Sequence, residues 1–426
     1  MQVKIFPAGA VTGSISLPGD KSISHRYAML AAIAEGVTAI ENYSTGADCH
    51  STLACVRALG IPVKVDGTLV RIEGRGMNGL LAPAGCLEAG NSGSTIRMLS
   101  GILAAQPFVS RIAGDESLAR RPMARIMRPL AQMGASISAR EGQFPPLEIH
   151  GAKLAGIDYT LPVPSAQVKT SILFAGLYAA GETVVRETVR SRDHSEIALR
   201  QFGANISVER RVITIQGGSE LKGCELAAPS DLSSAAFFLV AALLIPGSRI
   251  SIRGVGLNPT RATLLDVLVG MGANIRLANV EQKGGEMIGE IIAEYAPIRG
   301  GAIEKDVTAA LIDEIPVLAV LGASSEEGLT VRDAGELRIK ETDRIATIVD
   351  NLQRMGIAAE ALHDGLVIPG KQKFRAAAFD SFGDHRIAMA FAVAALAADG
   401  PSTIDNAEAA SVSFPEFYDT LKQVAQ

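Results

Sequence analysis

The order of apolar and polar residues along the chain repeats six times. In each repeat a polar turn leads into a long apolar run, and 15 or 16 residues after the turn opens comes a glycine or proline. The turns open at Asp20, Asn91, Ser165, Asp231, Asp313 and Asp384, and the runs close at Gly36, Pro107, Gly181, Gly247, Gly328 and Gly400. Asp, Asn and Ser are favoured at helix N-caps, whereas Gly and Pro end helices. The pattern therefore predicts six apolar helices, each beginning at a polar turn.

A short strand follows each apolar run in this pattern, and a second, amphipathic helix follows the strand. The strand segments are Val37–Ile40, Phe108–Ile112, Glu182–Val185, Arg249–Ile252, Leu329–Val331 and Ser402–Ile404. Five of the second helices end in similar words: Ala58-Leu59-Gly60, Gln132-Met133-Gly134, Gln201-Phe202-Gly203, Gly270-Met271-Gly272 and Arg354-Met355-Gly356. Paired alternating segments come next, for example Ile206–Glu209 with Val212–Gln216. Each repeat is thus predicted to be one βαβαββ unit of a modular fold.

The sixth repeat has no strand pair behind its second helix, which runs from Phe414 to about Val424. Two strand patterns, Gln2–Phe6 and Gly13–Leu17, are left over near residue 1, and we expect them to complete the sixth repeat. Three repeats then form an inserted domain over 19–228. The other three form a discontinuous domain of 1–18 plus 229–426. We expect an α/β fold of two such domains, with the functional site in the cleft between them.

Composition narrows the classes of function that this chain can have. The net charge of −5 argues against a general nucleic-acid binder, so any basic site must be local. The longest apolar stretch, Ala235–Pro246, is too short to span a bilayer, so we expect no membrane partner. The four cysteines show neither the spacing of a zinc site nor the density of a disulfide scaffold. With no secretory signal pattern at the N-terminus, these features favour a reduced, cytoplasmic protein.

Four of the polar turns combine small residues, hydroxyl groups and cations. They read Gly19-Asp20-Lys21-Ser22-Ile23-Ser24-His25-Arg26, Gly90-Asn91-Ser92-Gly93-Ser94-Thr95-Ile96-Arg97, Pro164-Ser165-Ala166-Gln167-Val168-Lys169 and Gly383-Asp384-His385-Arg386. Loops before second helices add Arg120-Arg121-Pro122, Ser191-Arg192-Asp193-His194 and Arg338-Ile339-Lys340-Glu341-Thr342-Asp343-Arg344. Helix N-termini attract anions, and guanidinium groups match phosphate and carboxylate oxygens. Repetition of cations at one place in the unit indicates binding of small anions.

Each turn also has a purely structural interpretation, in which the polar residue caps a helix and the cations pair with neighbouring carboxylates. Asp313 illustrates the choice, because it opens an apolar run and taken alone fits a helix cap. Asp313 and Glu341 fit equally well as proton-transfer groups if they lie among cations.

Four of these turns and loops, taken in their order along the chain, resemble the enolpyruvyl transferase family, and specifically its 5-enolpyruvylshikimate-3-phosphate synthase branch. The most specific matches are 19–26, 90–97, 338–344 and 384–386. The resemblance covers nearly the whole chain. It implies an inside-out α/β barrel in each of two domains, each built from three βαβαββ units.

The resemblance also implies the reaction. The enolpyruvyl group of phosphoenolpyruvate is transferred to the 5-hydroxyl of shikimate 3-phosphate by addition and elimination, with release of phosphate, in the shikimate pathway to chorismate and the aromatic amino acids. Both substrates are small anions. No metal and no organic cofactor is implied, glyphosate is expected to bind in the phosphoenolpyruvate pocket, and we expect a monomer.

Site residues follow from the resemblance position by position. For shikimate 3-phosphate it implies Lys21, Ser22, Arg26, Ser165, Ala166, Gln167, Arg192, Asp313 and Lys340. For phosphoenolpyruvate it implies Lys21, Asn91, Gly93, Arg121, Gln167, Arg344 and Arg386. Catalytic roles fall to Asp313, Glu341 and Lys21, so for Asp313 the resemblance favours a base over a cap. Ala166 departs from a pattern that has serine there, and Lys169 is a candidate to replace the missing phosphate contact.

Two alternatives remain at this point. The related enolpyruvyl transferase acting on UDP-N-acetylglucosamine shares the architecture, but it typically has a lysine–asparagine pair where this chain has Lys21-Ser22. A non-catalytic anion-binding protein on the same repeats could keep Lys21 and Arg26, but it would not need Asp313 or Glu341.

Overall fold

The computed structural model describes residues Met1 to Gln426, and α-helices alternate with short strands throughout. The α-helices are α1 (Lys21–Ile33), α2 (Ala47–Ala58), α3 (Gly93–Leu103), α4 (Ala124–Gln132), α5 (Ala166–Gly176), α6 (His194–Gln201), α7 (Leu232–Leu244), α8 (Thr263–Gly270), α9 (Asp306–Leu311), α10 (Ile315–Ser324), α11 (Arg344–Arg354), α12 (His385–Leu396) and α13 (Phe417–Val424). Short 3₁₀ helices lie at Leu118–Arg120, Gly335–Ile339 and Ala407–Val412. None of the helices is both long enough and apolar enough to cross a bilayer.

The strands are short and spread over the whole chain. They are β1 (Gln2–Ile5), β2 (Thr12–Ser16), β3 (Glu35–Glu41), β4 (Val63–Asp66), β5 (Leu69–Arg75), β6 (Leu87–Glu88), β7 (Val109–Ala113), β8 (Ser136–Arg140), β9 (Phe144–His150), β10 (Asp158–Thr160), β11 (Glu182–Arg186), β12 (Ile206–Glu209), β13 (Val212–Gln216), β14 (Glu225–Ala227), β15 (Arg249–Gly256), β16 (Asn274–Lys283), β17 (Glu286–Glu294), β18 (Gly301–Ile303), β19 (Leu329–Val331), β20 (Glu360–Leu362), β21 (Gly365–Ile368), β22 (Ala378–Asp380) and β23 (Ser402–Asp405).

The chain forms two compact units, each with its own hydrophobic core. The discontinuous unit comprises Met1–Pro18, Pro229–Gln282 and Glu286–Gln426. The central unit comprises Gly19–Ala228 together with Lys283–Gly285.

The six apolar helices predicted from the sequence are present and buried. In the central unit they are α1, α3 and α5, and in the discontinuous unit they are α7, α10 and α12. Every residue of α7 is buried, as expected for a helix that is apolar on all sides. These helices form the centre of each core, while the strands alternate buried and exposed positions, as in β5 and β9. The predicted α/β architecture of helices inside and sheets outside is thus confirmed.

The second helices end where the repeated glycine words predict. α2, α4, α6, α8 and α11 each end just before an apolar cap residue, and the glycine after that residue has a positive φ in all five cases: Gly60, Gly134, Gly203, Gly272 and Gly356. A left-handed residue closes a helix and is least costly as glycine, which explains why the word recurs.

Five sheets share one four-stranded topology, in which a parallel strand pair continues into an antiparallel hairpin. In the central unit the orders are β14-β3-β5-β4, β6-β7-β9-β8 and β10-β11-β13-β12. In the discontinuous unit they are β16-β17-β15-β2 and β18-β19-β21-β20, and the sixth sheet is β1-β23-β22. For α3, α5, α10 and α12 the strand that precedes the apolar helix pairs in parallel with the strand that follows it. For α1 and α7 the preceding strands are exchanged, so β2 pairs with β15 and β14 pairs with β3.

One expectation about the N-terminal strands is wrong. β1 does pair with β23 of the sixth repeat, antiparallel from Gln2 opposite Asp405 to Ile5 opposite Ser402. β2 instead pairs in parallel with β15, so it is the first strand of the fourth repeat. No local pattern marks this pairing, because β2 is separated by more than 200 residues from the apolar helix of the fourth repeat. β14 does the same for the first repeat, pairing in parallel with β3.

Four of the six polar turns supply the N-cap at the predicted residue. Asp20, Ser165, Asp231 and Asp384 each accept a backbone N–H bond at the start of their helix. In the second repeat the cap is Ser92, whose Oγ accepts from Thr95 N at 3.0 Å, and not Asn91. In the fifth repeat α10 begins at Ile315, and Glu314, not Asp313, holds the cap position. Asn91 and Asp313 are thus used for other contacts.

Candidate active site

The start of α1 presents the first predicted cation. Lys21 is the first residue of this helix, and its Nζ lies 3.0 Å from Oδ2 of Asp48 on α2. The Lys21 side chain is 17% exposed, so the ammonium group is held near the surface by a buried partner. Sequence reasoning did not identify Asp48, because its only signal is an acidic residue in the first turn of an ordinary helix.

Arg26, one turn further along α1, is buried and fixed by three helices. Its Nε donates to Ser195 Oγ at 2.7 Å, its Nη2 to Thr170 Oγ1 at 3.0 Å and its Nη1 to the carbonyl of Ser22 at 2.7 Å. The guanidinium plane is therefore set by α1, α5 and α6 together. Lysine could not replace Arg26 here, because only the planar guanidinium group offers several N–H donors in fixed directions.

Asn91 and Arg121 form a second group at the start of α3. Arg121 Nη2 donates to Asn91 Oδ1 at 2.8 Å and to Ser117 Oγ at 3.0 Å, while Asn91 Nδ2 donates to Asp115 Oδ2 at 2.8 Å. These contacts explain why Asn91 does not cap α3. Gly93 lies beside the same arginine, since a Cβ at this position would be 3.7 Å from Arg121 Nη1.

A third group joins the starts of α3 and α5. Gln167 accepts from Arg97 Nη1 at 2.8 Å through Oε1 and donates from Nε2 to Ser94 Oγ at 2.9 Å. Ser165 caps α5, and Ala166 is the first residue of that helix. Arg97 was not among the predicted site residues, although it is the last residue of the second polar turn. It contacts Gln167, and its Nη1 would lie 2.8 Å from a Cβ at Gly93.

Arg192 lies half-buried in the segment between β11 and α6. The preceding residue, Ser191, donates from its backbone N to Glu187 Oε1 at 3.1 Å and also from its hydroxyl to the same oxygen. This contact anchors the segment to the end of β11.

Lys169 does not supply the contact that Ala166 lacks, so that hypothesis is wrong. Its side chain is fully buried, and Nζ lies 3.1 Å from Glu187 Oε1 and 2.6 Å from Glu196 Oε1. Position 169 is one turn beyond the helix start, and the buried carboxylates draw the ammonium group into the core of the central unit.

In the discontinuous unit, the predicted carboxylates and cations converge on Asp313. Its Oδ1 lies 3.6 Å from Arg344 Nη1 and 3.7 Å from Lys340 Nζ, and its Oδ2 lies 3.8 Å from Arg386 Nη2. The Asp313 carbonyl also accepts from Arg386 Nη1 at 2.8 Å. Asp313 therefore faces three cations and does not cap α10.

Arg344 is the centre of this cluster and is 1% exposed. Its Nε donates to Asp384 Oδ2 at 2.7 Å and its Nη2 to Glu341 Oε2 at 2.6 Å. Burial by itself would lower the pKa of the Arg344 guanidinium, but the charges of Asp384, Glu341 and Asp313 outweigh burial and raise this pKa above its ordinary value. Arg344 is therefore a permanent cation at this site.

A buried polar network behind Arg386 was not predicted. Glu314 lies 3.9 Å from Arg386 Nη1 and accepts from the hydroxyl of Ser233 on α7. Arg261 in turn donates from Nη2 to Ser233 Oγ at 2.5 Å and to Asp231 Oδ1 at 2.9 Å. The sequence offered only weak signals for this network. Glu314 is next to Asp313, and Arg261 lies in a turn.

The structure thus gathers the predicted residues into local groups within each unit. In the central unit these are Lys21 with its Asp48 partner, Ser22 with Arg26, Asn91 and Gly93 with Arg121, and the α5 start with Gln167. In the discontinuous unit Asp313, Lys340, Glu341, Arg344 and Arg386 form one cluster. Fixed cations beside helix starts are suited to holding phosphate and carboxylate groups, and neighbouring carboxylates can transfer protons.

Comparison with known proteins agrees with this chemistry. Residues 5–421 match the EPSP synthase (3-phosphoshikimate 1-carboxyvinyltransferase) family. The 3-phosphoshikimate 1-carboxyvinyltransferase of Solibacter usitatus is 68% identical over the full length of both chains, and that of Koribacter versatilis is 51% identical over 100% of this chain and 99% of its own. A solved structure of EPSP synthase from Acinetobacter baumannii matches with a TM-score of 0.88 at 42% identity, over 100% of this chain and 98% of that one.

Proposed function

Because the chain belongs to the EPSP synthase family, we propose that the residue groups described above are the binding and catalytic residues of 3-phosphoshikimate 1-carboxyvinyltransferase. The enzyme transfers the enolpyruvyl group of phosphoenolpyruvate to the 5-hydroxyl of shikimate 3-phosphate and releases phosphate, a step of aromatic amino-acid biosynthesis. The observation that carries the assignment of residues is the cluster of Asp313 with Lys340, Arg344 and Arg386.

The reaction sets requirements that these groups meet. In the addition step the 5-hydroxyl oxygen bonds to C2 of phosphoenolpyruvate, its proton is lost, and a proton is added at C3, which gives a tetrahedral adduct. In the elimination step the C2–O bond to phosphate breaks, the departing phosphate takes up a proton, and a proton leaves the new methyl group. Each step moves one proton off and one proton on, so it needs carboxylates close to the reacting carbon.

We assign the proton transfers to Asp313 and Glu341 in the discontinuous unit. Both carboxylates lie beside Arg344, at 3.6 Å from Nη1 and 2.6 Å from Nη2 respectively. Arg344 and Arg386 would bind the carboxylate or phosphate of phosphoenolpyruvate, since their guanidinium groups flank Asp313 and are fixed by buried partners. Lys340 lies 3.7 Å from the same Oδ1 of Asp313 that faces Arg344, and it is assigned to shikimate 3-phosphate.

We assign the remaining contacts to the central unit. Ser22, Arg26, Ser165, Ala166, Gln167 and Arg192 are assigned to shikimate 3-phosphate, and Asn91, Gly93, Arg121 and Gln167 to phosphoenolpyruvate. Lys21 is assigned to both substrates and to catalysis. The helix starts that carry most of these residues support the assignment, since unpaired N–H groups there add to the positive charge. Arg97 joins the set through its bond to Gln167.

We further propose that the two compact units are the two domains expected from the repeats, and that the protein acts as a cytoplasmic monomer without a metal or organic cofactor. Sedimentation at two protein concentrations tests the oligomeric state, and a dimer at both would contradict it.

A phosphate-release assay with phosphoenolpyruvate tests the function. Phosphate should appear with shikimate 3-phosphate as acceptor and stay at background with UDP-N-acetylglucosamine. Release with the sugar nucleotide alone would identify the related transferase, and binding of both anions without release would identify an anion-binding protein.

A further inference from the structure

Lys169 is a charged side chain that the reaction as assigned does not use, and it is completely buried. Its Nζ is paired with Glu187 at 3.1 Å and with Glu196 at 2.6 Å, and these carboxylates are 4% and 3% exposed. We refer to these three residues as the Lys169 cluster. Burying three charges costs free energy of desolvation. Proteins in which such a cluster is replaced by apolar residues of similar volume are often as stable or more stable. The cost suggests that the cluster fixes a geometry.

The Glu187 side of the cluster leads to the segment that carries Arg192. Glu187 follows β11. Its Oε1 forms an ion pair with Lys169 Nζ and accepts hydrogen bonds from the backbone N and the hydroxyl of Ser191. Ser191 immediately precedes Arg192. The position of the Ser191–Arg192 peptide is therefore set by an oxygen that Lys169 holds in place.

The Glu196 side leads to Arg26. Glu196 is in the first turn of α6, next to Ser195. The Oγ of Ser195 accepts a hydrogen bond from Arg26 Nε. Ser195 Oγ is also 2.5 Å from Thr170 Oγ1, which donates to the carbonyl of Ala166 at 2.6 Å. Since the Thr170 proton is used in that bond, the Ser195 hydroxyl donates to Thr170. Arg26 thus donates to both α5 and α6, the two helices that the Lys169–Glu196 pair connects.

We propose that Lys169 is a positioning residue for shikimate 3-phosphate: through Glu187 and Ser191 it sets the place of Arg192, and through Glu196 it fixes α6 behind Arg26. This inference rests on the proposed function, because it takes Arg192 and Arg26 as ligands of that substrate. Lys169 itself contacts no substrate. Binding of phosphoenolpyruvate through Arg121 should not depend on the cluster.

The test measures binding of shikimate 3-phosphate by calorimetry and the KM of both substrates in three single variants, two double variants and one control variant. Ser191→Ala leaves the Lys169 cluster intact and cuts one link to the Arg192 segment. Glu187→Gln keeps an acceptor for Ser191 but removes the charge that pairs with Lys169. Arg192→Gln removes the ligand, and each of the first two changes is also made in that background. Lys169→Met would leave two carboxylates buried without a cation and could fail to fold, so the test does not depend on it.

Ser191→Ala and Glu187→Gln are each expected to weaken binding of shikimate 3-phosphate about tenfold, with the KM for phosphoenolpyruvate changed by less than about twofold. In the Arg192→Gln background the same changes should have no further effect, because they act through Arg192. Ser219→Ala is the matched control. Ser219 is a half-buried serine of the central unit that bonds only backbone groups, and its variant should bind like the natural protein.

Unchanged binding in both Ser191→Ala and Glu187→Gln would overturn the inference. So would losses that persist in full in the Arg192→Gln background, since they would reflect general damage to the fold. If Arg192→Gln alone binds normally, the assignment of Arg192 under the proposed function fails. Absence of turnover by the natural protein would contradict the function itself, so the failures are distinguishable.

Discussion

Arg344 donates from Nε to Oδ2 of Asp384 at 2.7 Å, and both side chains are buried. The other oxygen of Asp384 accepts from Arg386 N at 2.8 Å and so caps α12. One carboxylate therefore joins the cation at the start of α11 to the helix start that carries Arg386. The pair fixes two candidate ligands of phosphoenolpyruvate relative to Asp313.

Replacing Asp384 by Asn should destabilise the protein strongly. The amide can still cap α12, but Arg344 loses its closest buried counter-charge, and breaking a buried pair typically costs about 3–5 kcal/mol. We expect a drop of that order in the free energy of unfolding, measured by urea titration, and a higher KM for phosphoenolpyruvate.

Asp350→Asn provides the matched control for that measurement. Asp350 forms an ion pair with Arg354 at 2.8 Å on the same helix, α11, but both side chains are substantially exposed. Exposed pairs of this kind contribute about 0.3–0.5 kcal/mol. Equal destabilisation by the two variants would show that the buried pair has no special role.

Gly93→Ala should reduce inhibition by glyphosate. A Cβ at position 93 would lie 2.8 Å from Arg97 Nη1, so the arginine must shift, and its 2.8 Å bond to Gln167 would be disturbed. The methyl group also narrows the space beside Arg121. We expect competitive inhibition of the natural enzyme against phosphoenolpyruvate, with a larger inhibition constant and a raised KM for phosphoenolpyruvate in the variant.

Gly270→Ala controls for the general effect of adding a methyl group. Gly270 is the last residue of α8, and a Cβ there meets nothing within 4 Å. This variant should gain about 0.4–1 kcal/mol of stability and keep natural kinetics. Equal inhibition constants for the Gly93→Ala variant and the natural enzyme would refute the steric argument.

His25 should make the protein less stable in mild acid. It is fully buried on α1, and burial, followed by the charges of Lys21 and Arg26, lowers its pKa well below the ordinary value. The unfolded chain takes up this proton below about pH 6.5, while the folded chain does not. The neutral His25 therefore contributes fully to the free energy of unfolding above that pH. This contribution is lost as the pH falls, at up to about 1.4 kcal/mol per pH unit.

Urea titrations at pH 7.5, 6.0 and 5.0 check this contribution. His25→Gln, which can keep a hydrogen bond to Thr52, should lose part of the pH dependence, because glutamine does not titrate. His150→Gln, at an exposed histidine, should keep the natural slope. Identical slopes for His25→Gln and the natural protein would mean that His25 does not contribute.

The sequence was sufficient to predict those parts of the fold that depend on local pattern. Six apolar helices, their strands and five glycine-closed second helices follow from residues near each other in the chain. The role of β2 could not be found in this way. Its partner β15 lies more than 200 residues away, and both N-terminal strand patterns fit the sixth repeat equally well.

The candidate site was predictable to a similar degree. Charged residues at helix starts indicated anion binding, but the same pattern fits helix caps. Only the folded structure shows Asp313 among three cations, with Glu314 at the cap position. Asp48 reaches Lys21 from the second helix of the same repeat, and Arg97 reaches Gln167 from a different repeat. Their roles depend on tertiary packing, which the local pattern does not contain.

The most direct test of the account is the turnover of Asp313→Asn with shikimate 3-phosphate and phosphoenolpyruvate, measured by phosphate release alongside calorimetric binding of shikimate 3-phosphate. Losing a proton-transfer group should lower kcat by about 10²–10⁴-fold, with binding affected far less. Asp306→Asn, at an exposed aspartate on α9, should turn over normally. If Asp313→Asn binds and turns over like the natural enzyme, the carboxylate beside Arg344 is not catalytic and the proposed site is wrong.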